Sequence, residues 1–337
     1  MAVLRVGLLG IGMMGRHHAR VLREIEGVEL VAIADVGGDK FGVARELPVL
    51  PNVDALIDAG IDLAVVAVPT RFHEEPALKL ASAGVHTLIE KPIADTVEAG
   101  QRIVEAFSSA GLVGAVGHIE RFNPALQQLR RRLEAGELGS VYQIQTRRQG
   151  PFPSRIADVG VGKDLASHDI DLTSWVAQSE YESLFANVAF KSGREHEDLI
   201  AITGRLESGV VVNHLINWLS PLKERITIVT GERGTFVADT GTSDLTFHAN
   251  GTVPAEWERI AAFRGVSEGD VTRFAFPKPE PLRTQHEAFR DAVLGKPSDI
   301  VTLTQGLRTL QVVEAALAGA RTNSVVKPEG VSIPQNS

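Results

Sequence analysis

The sequence predicts an α/β chain in two parts. Residues 1–120 read as a doubly wound parallel sheet, and residues 121–337 as an α+β domain with a large, mostly antiparallel open sheet. Three observations predict this. Short apolar runs alternate with helical patterns over the first 120 residues, the pattern of parallel strands covered on both faces. Beyond that point strand-like runs follow one another with little helix between them, as in an antiparallel sheet. No repeat and no low-complexity linker intervenes, so the boundary is a change of pattern and not a tether.

In chain order, Leu4–Leu9 is the first strand, followed by Gly-rich sequence and a helical pattern through Ile25. Glu29–Ala34, Leu63–Val68 and Thr87–Ile89 are further strands, with a helix over Phe72–Ala83. A helix over Val97–Ala110 and a strand over Leu112–Gly117 complete this part. The second part has strands at Val141–Arg148, Ser183–Phe190, Leu199–Glu207, Val210–Trp218, Arg225–Gly231 and Thr235–Asp239. Gly209, Gly231 and Gly234 stand where turns are needed. Helices near Leu282–Leu294 and Leu303–Arg321 close the chain, with Gly295 as a C-cap and a frayed tail from Lys327.

A composition of 44% hydrophobic and 23% charged residues is a globular mix able to bury a sizeable core. The absence of cysteine excludes disulfides, thiolate metal sites and a Cys nucleophile, and fits a reducing cytoplasm. Met1–Leu9 is too short for a signal peptide, and no apolar run approaches the roughly 18 residues of a membrane span. A net charge of −8 argues against nucleic acid or an anionic membrane as partner.

"LLGIGMMGRHHA" sets Gly10, Gly12 and Gly15 in G-x-G-x-x-G spacing between a strand and a helix. Gly10 permits the tight turn, Gly12 lets backbone approach a pyrophosphate, and Gly15 lets helix and strand pack closely. The loop residues Gly10, Ile11, Gly12, Met13, Met14 and Gly15 are therefore the expected cradle of a dinucleotide. The second strand ends in "AIAD", and Asp35 stands where a carboxylate binds the ribose 2′-hydroxyl. Val36 and Gly37 follow it, so no adjacent arginine serves a 2′-phosphate; the expected cofactor is NAD rather than NADP. His17 and His18, on the helix after the loop, read as surface residues.

"HTLIEKPIAD" puts Glu90, Lys91 and Pro92 at the carboxyl end of a strand, the edge where ligands bind in open α/β sheets. Pro92 biases Lys91 toward extended backbone, so backbone geometry sets the ammonium position. "GKDLASHDID" sets Asp164 and His168 four apart, on one face of a helix. By spacing alone such a pair holds a metal, moves a proton, or is a solvated face. A metal needs further ligands, and Asp169 and Asp171 point to other faces, so no metal is expected.

Taken together, the glycine loop, Asp35, "VPTRFHEEPALKLASAGVHTLIEKP" and "GKDLASHDID" resemble the Gfo/Idh/MocA family of NAD(P)-dependent oxidoreductases acting on sugars, inositols and sugar nucleotides. The resemblance implies a Rossmann domain over residues 1–120 and a substrate-binding, oligomerising domain over 121–337, with a sheet that commonly supports homodimers or homotetramers. It implies that Pro69, Thr70 and His73 lie on a cofactor-contacting loop. Glu90 and Lys91 would sit against the cofactor, with Lys91 also near the substrate. Asp164 and His168 correspond to the family's acid–histidine pair.

Oxidising a secondary alcohol requires a hydride acceptor and a base for the hydroxyl proton. His168 is suited to be that base, Asp164 to orient it, and Lys91 to hydrogen-bond the same oxygen or itself act as base. "GHIERFNPALQQL" places Arg121 and Asn123 at the domain junction, and "QTRRQGPFPSRIADVGVGKDL" brings Arg148, Arg155 and Lys163 toward the Asp/His helix. In an acidic chain this gathering points to an anionic ligand. "GHIERFNPA" and "DVGVGKDLASHDIDL" also resemble the branch of the family that oxidises the 3-hydroxyl of UDP-N-acetylglucosamine, although Lys163 and Ser167 stand where that branch has apolar residues. The alternatives are a free sugar or inositol dehydrogenase, and a non-catalytic NAD-binding regulator. Arg130, Arg131 and Arg132 read as a solvated helix face, Arg147 and Arg148 as opposite faces of one strand, and Trp175 and Trp218 as core.

Overall fold

The computed structural model describes residues 3–153, 159–251 and 267–328. Among the described residues the chain divides into two units: residues up to Ile119 with Pro279–Gln311, and Glu120–Lys278 with residues 312–328.

The first unit holds six strands: β1 (Leu4–Leu9), β2 (Val28–Ala34), β3 (Val49–Leu50), β4 (Leu63–Val66), β5 (His86–Ile89) and β6 (Gly114–Val116). They form one sheet in the order β3-β2-β1-β4-β5-β6, parallel throughout. All four residues of β4 are buried, as expected of a strand covered on both faces. Helices α1 (Gly15–Leu22), α2 (Val53–Asp58), α3 (Glu74–Ser82) and α4 (Val97–Ser109) make the crossovers. Asn52 and Thr96 cap α2 and α4, each side-chain oxygen accepting a backbone N–H three residues on. The strand order reverses between β1 and β4, so the loops after β1, β4 and β5 open at the switch point of the sheet.

The expected single cut near residue 120 does not describe the whole chain, because a late segment, Pro279–Gln311, returns to the first unit. Helix α7 (Pro281–Val293) inserts Phe289 into the core of β1 and β2, and Leu282 packs on Val21 and Ile25. Thr302 bridges Ala115 of the edge strand β6. The start of the last helix, α8 (Leu303–Thr322), presses on Gly114 and Gly306 rests against Val116, so close that a Cβ on either glycine would collide. An exposed apolar edge strand is a liability, and this return covers it.

The second unit carries an eight-stranded sheet: β7 (Val141–Pro151), β8 (Tyr181–Ala189), β9 (Leu199–Leu206), β10 (Val211–Asn217), β11 (Leu219–Gly231), β12 (Gly234–Asp239), β13 (Asp244–Gly251) and β14 (Ser267–Arg273). Its order is β14-β13-β12-β11-β7-β10-β9-β8, antiparallel except where β7 meets β10. Strands β13 and β14 add to the six expected from sequence. Helices α5 (Pro124–Glu134) and α6 (Ser167–Ala177) supply Leu126, Leu129, Ile170 and Trp175 to the core, together with Ile144, Val212, Trp218, Val229 and Phe236 of the sheet region. Strand β7 alternates strictly, so Arg148 points inward and Arg147 outward. The arginines of α5 are not a simple solvated face. Arg130 lies over the Trp175 ring, and Arg132 over Phe274 at 3.5 Å; Arg131 alone of the three is exposed. Long guanidinium side chains cover apolar rings while their heads keep ionic partners. Among the described residues no helix is long and apolar enough to cross a membrane.

Candidate functional site

Two of the three loop glycines are required by packing, and the third by what can approach it. Gly10 has φ +90°, and a Cβ there would lie 2.8 Å from the Ala67 backbone. A Cβ on Gly15 would collide with the Gly10 carbonyl. Gly12 is exposed and has no heavy atom within 4 Å of a Cβ position, so the backbone lies open over the start of α1. That open glycine at a helix N-terminus fits a pyrophosphate. Ile11 is buried under the loop and Met13 is exposed. Asp35, at the end of β2, accepts a hydrogen bond from the Ile11 N–H at 2.9 Å and another from the Gly37 N–H at 2.7 Å. The carboxylate thus fixes the loop while remaining half-exposed, and its oxygens keep lone pairs for a ribose hydroxyl.

After β4, Pro69 is exposed and Thr70 begins a 3₁₀ turn. His73 is buried. Its Nδ1 lies 3.0 Å from the Pro92 carbonyl and its Nε2 2.9 Å from the Val68 carbonyl. Burial lowers its pKa, and a neutral imidazole carries one N–H, so it donates to one carbonyl at a time. The ring staples the β4 loop to the segment after β5.

Glu90 ends β5 and is buried; Lys91 beside it is half-buried, with a cis peptide to Pro92. The Glu90 carboxylate accepts from the Lys91 N–H at 3.2 Å and from His18 Nε2 at 2.9 Å. Burial works against its charge, but the hydrogen bond from His18 prevails and its pKa falls below the usual carboxylate value. His18 is therefore not the surface residue expected. It has no exposed area, and its Nδ1 lies 2.8 Å from Nε2 of His286 on α7. The reason is position: Gly15, His18, Ala19 and Leu22 form one buried stripe of α1. His17 is exposed.

In the second unit, Gly162–Ala166 form a π-helical turn that passes into α6 at Ser167. The turn carries Asp164, which is buried, and the first turn of α6 carries His168, which is half-buried. Glu197 Oε1 accepts the Gly162 N–H at 2.9 Å, and Ser167 Oγ donates to the Lys163 carbonyl at 2.8 Å. Single π turns within helices often mark functional positions.

The cationic cluster is compensated from within. Arg148 donates to Asp169 at 2.6 Å and to Glu120 at 2.9 Å. Burial disfavours its charge, but both carboxylates hold it protonated, above its ordinary pKa. Asp169, the deeper carboxylate, is pushed up by burial; Glu120, less enclosed, is brought below its usual value by Arg148 despite burial. Arg121 is bidentate to Asp171 at 2.8 and 2.7 Å. Asn123 caps α5 through the Ala125 N–H and donates to the Thr240 carbonyl. Lys163 pairs with Glu314 at 2.8 Å. Arg155 lies outside the described residues. Among the described residues no group of three His, Asp or Glu side chains could hold a metal ion.

The structure gathers the glycine loop, Asp35, the β4 loop, Glu90 and Lys91 in the first unit, and Asp164, His168, Arg121, Arg148 and Lys163 in the second. Sequence reasoning missed His286, Glu120 and the pairing roles of Asp169 and Asp171. His286 had a readable signal, since Leu282, Gln285, His286 and Phe289 form the buried stripe of α7.

A switch-point glycine loop, an acid closing β2 and a lysine closing β5 define a dinucleotide-dependent oxidoreductase. Residues 4–118 match the oxidoreductase family with NAD-binding Rossmann fold, and residues 126–237 match the GFO/IDH/MocA C-terminal domain. The chain belongs to the GFO/IDH/MocA family, and its cofactor is NAD. It is 34% identical over 213 residues to UDP-N-acetylglucosamine 3-dehydrogenase of Acidithiobacillus ferrooxidans, a match covering 62% of this chain and 66% of that protein, just under two thirds of its length. It is 28% identical to inositol 2-dehydrogenase 2 of Saccharopolyspora erythraea, covering 97% of this chain and 96% of that one. The solved structure of the Acidithiobacillus enzyme matches with a TM-score of 0.82 and 26% identity, covering 96% of this chain and 99% of the other.

Proposed function

We propose that this chain oxidises a secondary hydroxyl of a sugar nucleotide, with the 3-hydroxyl of a UDP-N-acetylhexosamine as the favoured position. The observation that carries the reaction class is the π-helical turn holding buried Asp164 just ahead of His168, in a chain whose first unit sets Lys91 two residues past the end of β5. The glycine loop and Asp35 hold the dinucleotide. NAD, when bound, supplies the hydride acceptor. His168 takes the hydroxyl proton, and Asp164 orients the ring and stabilises its protonated form. Lys91 donates a hydrogen bond to the same oxygen and favours the developing negative charge.

The sugar-nucleotide preference rests on similarity to the Acidithiobacillus enzyme. It does not rest on a positive patch, because Arg121, Arg148 and Lys163 already meet carboxylates of the chain. That compensation, with the full-length similarity to an inositol dehydrogenase, favours a free polyol or sugar as the second reading.

A substrate panel with NAD, read by NADH absorbance and coupled to an aminotransferase, separates the readings. Turnover of a UDP-hexosamine supports the first. Turnover of inositol or a free sugar alone replaces it with the second. No turnover of any panel member, with NAD bound, makes the chain an NAD-dependent regulator. Lys91→Ala and His168→Ala are each expected to lower kcat by roughly 10²–10⁴-fold with the fold intact; near-normal turnover in both overturns the assignment.

We place the enzyme in the cytoplasm and its self-association on the outer face of the second sheet, where Gln145, Asn213 and Leu215 surround a shallow hollow. Light scattering showing a monomer at all concentrations removes the self-association.

A further inference from the structure

The first unit buries a chain of three titratable side chains that the proposed reaction does not use directly. His286 Nε2 lies 2.8 Å from His18 Nδ1, and His18 Nε2 lies 2.9 Å from Glu90 Oε1. The rings meet edge to face, 5.0 Å between centroids at 89°. All three residues are under one-tenth exposed. They come from three separate stretches: α1, the end of β5, and the returning helix α7. A Cβ on Gly117 would press on the Glu90 carboxylate at 2.8 Å, so the acid has little room to turn elsewhere.

The proton positions follow from valence. An ionised carboxylate only accepts, so His18 Nε2 carries a proton. The gap between His18 Nδ1 and His286 Nε2 then holds one proton and one lone pair. Burial keeps His286 well below its ordinary pKa, so it is neutral. With its proton on Nε2, donation runs from His286 to His18 to Glu90. The other oxygen of Glu90 accepts the backbone N–H of Lys91.

We infer that His18 and His286 are positioning residues for Lys91: they keep the Glu90 carboxylate ionised and fixed, and through it set the backbone and the charge environment of the lysine. This rests on the reading of Lys91 as part of the reaction site. The charged and titratable groups facing Glu90 are His18 from α1, Lys91 next to it in the chain, and His73 from the turn before α3. Imidazole N–H groups satisfy the carboxylate without the permanent cation of a guanidinium, so its negative field can act on the ammonium. An arginine in place of His18 would satisfy it and remove that field.

The test is a titration that needs no substrate. Lys91 is followed as its ¹³C-dimethylated amine in the full-length protein, with Lys91→Arg to assign the signal. In His18→Leu the buried Glu90 loses its donor and takes up a proton. The Lys91 signal is then expected to titrate about one unit lower than in wild type. With the turned-over substrate, kcat falls about tenfold or more while KM for NAD stays within about twofold. His18→Gln keeps an amide N–H toward Glu90 and is expected to restore most of both. His286→Leu, which leaves the His18–Glu90 contact in place, shifts both in the same direction by less and serves where His18→Leu does not fold. Wild-type Lys91 titration in a folded His18→Leu or His286→Leu variant overturns the inference. So does a Gln variant as impaired as the Leu variant, because packing alone is then at work. Failure of the substrate panel leaves the titration unaffected, so the two ideas fail separately.

Discussion

In the second unit, buried guanidinium groups meet carboxylates directly: Arg148 stands between Asp169 and Glu120, and Arg121 grips Asp171 with both arms of its fork. In the first unit, buried Glu90 meets the imidazole of His18, which His286 backs, and no guanidinium among the described residues. The first arrangement cancels charge where it is buried. The second satisfies hydrogen bonds and sets no permanent cation against the charge. Burying an ion pair gains little net stability, yet removing one partner is costly because the other is left uncompensated. A cancelled network therefore serves to hold elements together, here β7, α6 and the turn before α5. An uncancelled one can act on a neighbouring cation. The gathering of arginines expected to bind an anionic substrate belongs to the first kind.

The largest expected effect tests that contrast. Arg121→Ala should destabilise the protein by about 3–5 kcal/mol, read by urea or thermal unfolding, with KM of the folded fraction little changed. The double variant Arg121→Leu with Asp171→Leu should recover most of the loss. A variant of wild-type stability with raised KM would instead return Arg121 to substrate binding and erase the distinction between the units.

The next effect compares histidines. His214 in the second unit is fully enclosed between Tyr181 Oη at 2.7 Å and Thr146 Oγ1 at 2.8 Å, both neutral, and burial lowers its pKa to about 3. Unfolded, the same imidazole takes a proton near its ordinary value of 6.5. Between those values the unfolded state binds the extra proton, so this contribution to stability is full above pH 6.5 and is lost as pH falls toward 3. The slope is up to about 1.4 kcal/mol per pH unit. His214→Gln should flatten the fall between pH 6 and 4 in pH-dependent unfolding (about two units of the window). An unchanged slope would show that other groups govern acid unfolding.

The smallest effect concerns the cofactor. Asp35→Asn weakens the acceptor for a ribose 2′-hydroxyl and removes a negative charge that repels a 2′-phosphate. KM for NAD should rise about tenfold while KM for NADP changes less. Equal changes for both cofactors would mean that Asp35 serves the loop alone, through the Ile11 and Gly37 N–H groups.

What the sequence made legible is local in chain distance. The glycine spacing, the acid closing β2 and the apolar strands each sit within one element or one turn. So does the stripe of α1, but there two signals compete. Residue type sends an imidazole to the surface, while position in the i, i+3, i+4, i+7 stripe buries it; position wins because Glu90 and His286 supply partners. Strands β13 and β14 carry no apolar run, since they lie at the edge of the sheet, where polar residues discourage pairing with other chains. The partners of Arg121 and Arg148 are 50 and 21 residues away, and no pattern in a window reaches that far. The candidate site residues were thus readable one by one, whereas the neutralisation of the arginines was not.

The return of α7 to the first unit also bears on how the protein is made. Synthesis delivers β1 through β6 early, but Phe289 and Leu282, which close that core, leave the ribosome near the end of the chain. The second unit in turn awaits Val312, Val313 and Ala316. The usual order, in which an N-terminal domain folds before its successor emerges, is therefore denied to this chain. Until Leu282 and Phe289 emerge, the nascent sheet carries an incompletely covered apolar face.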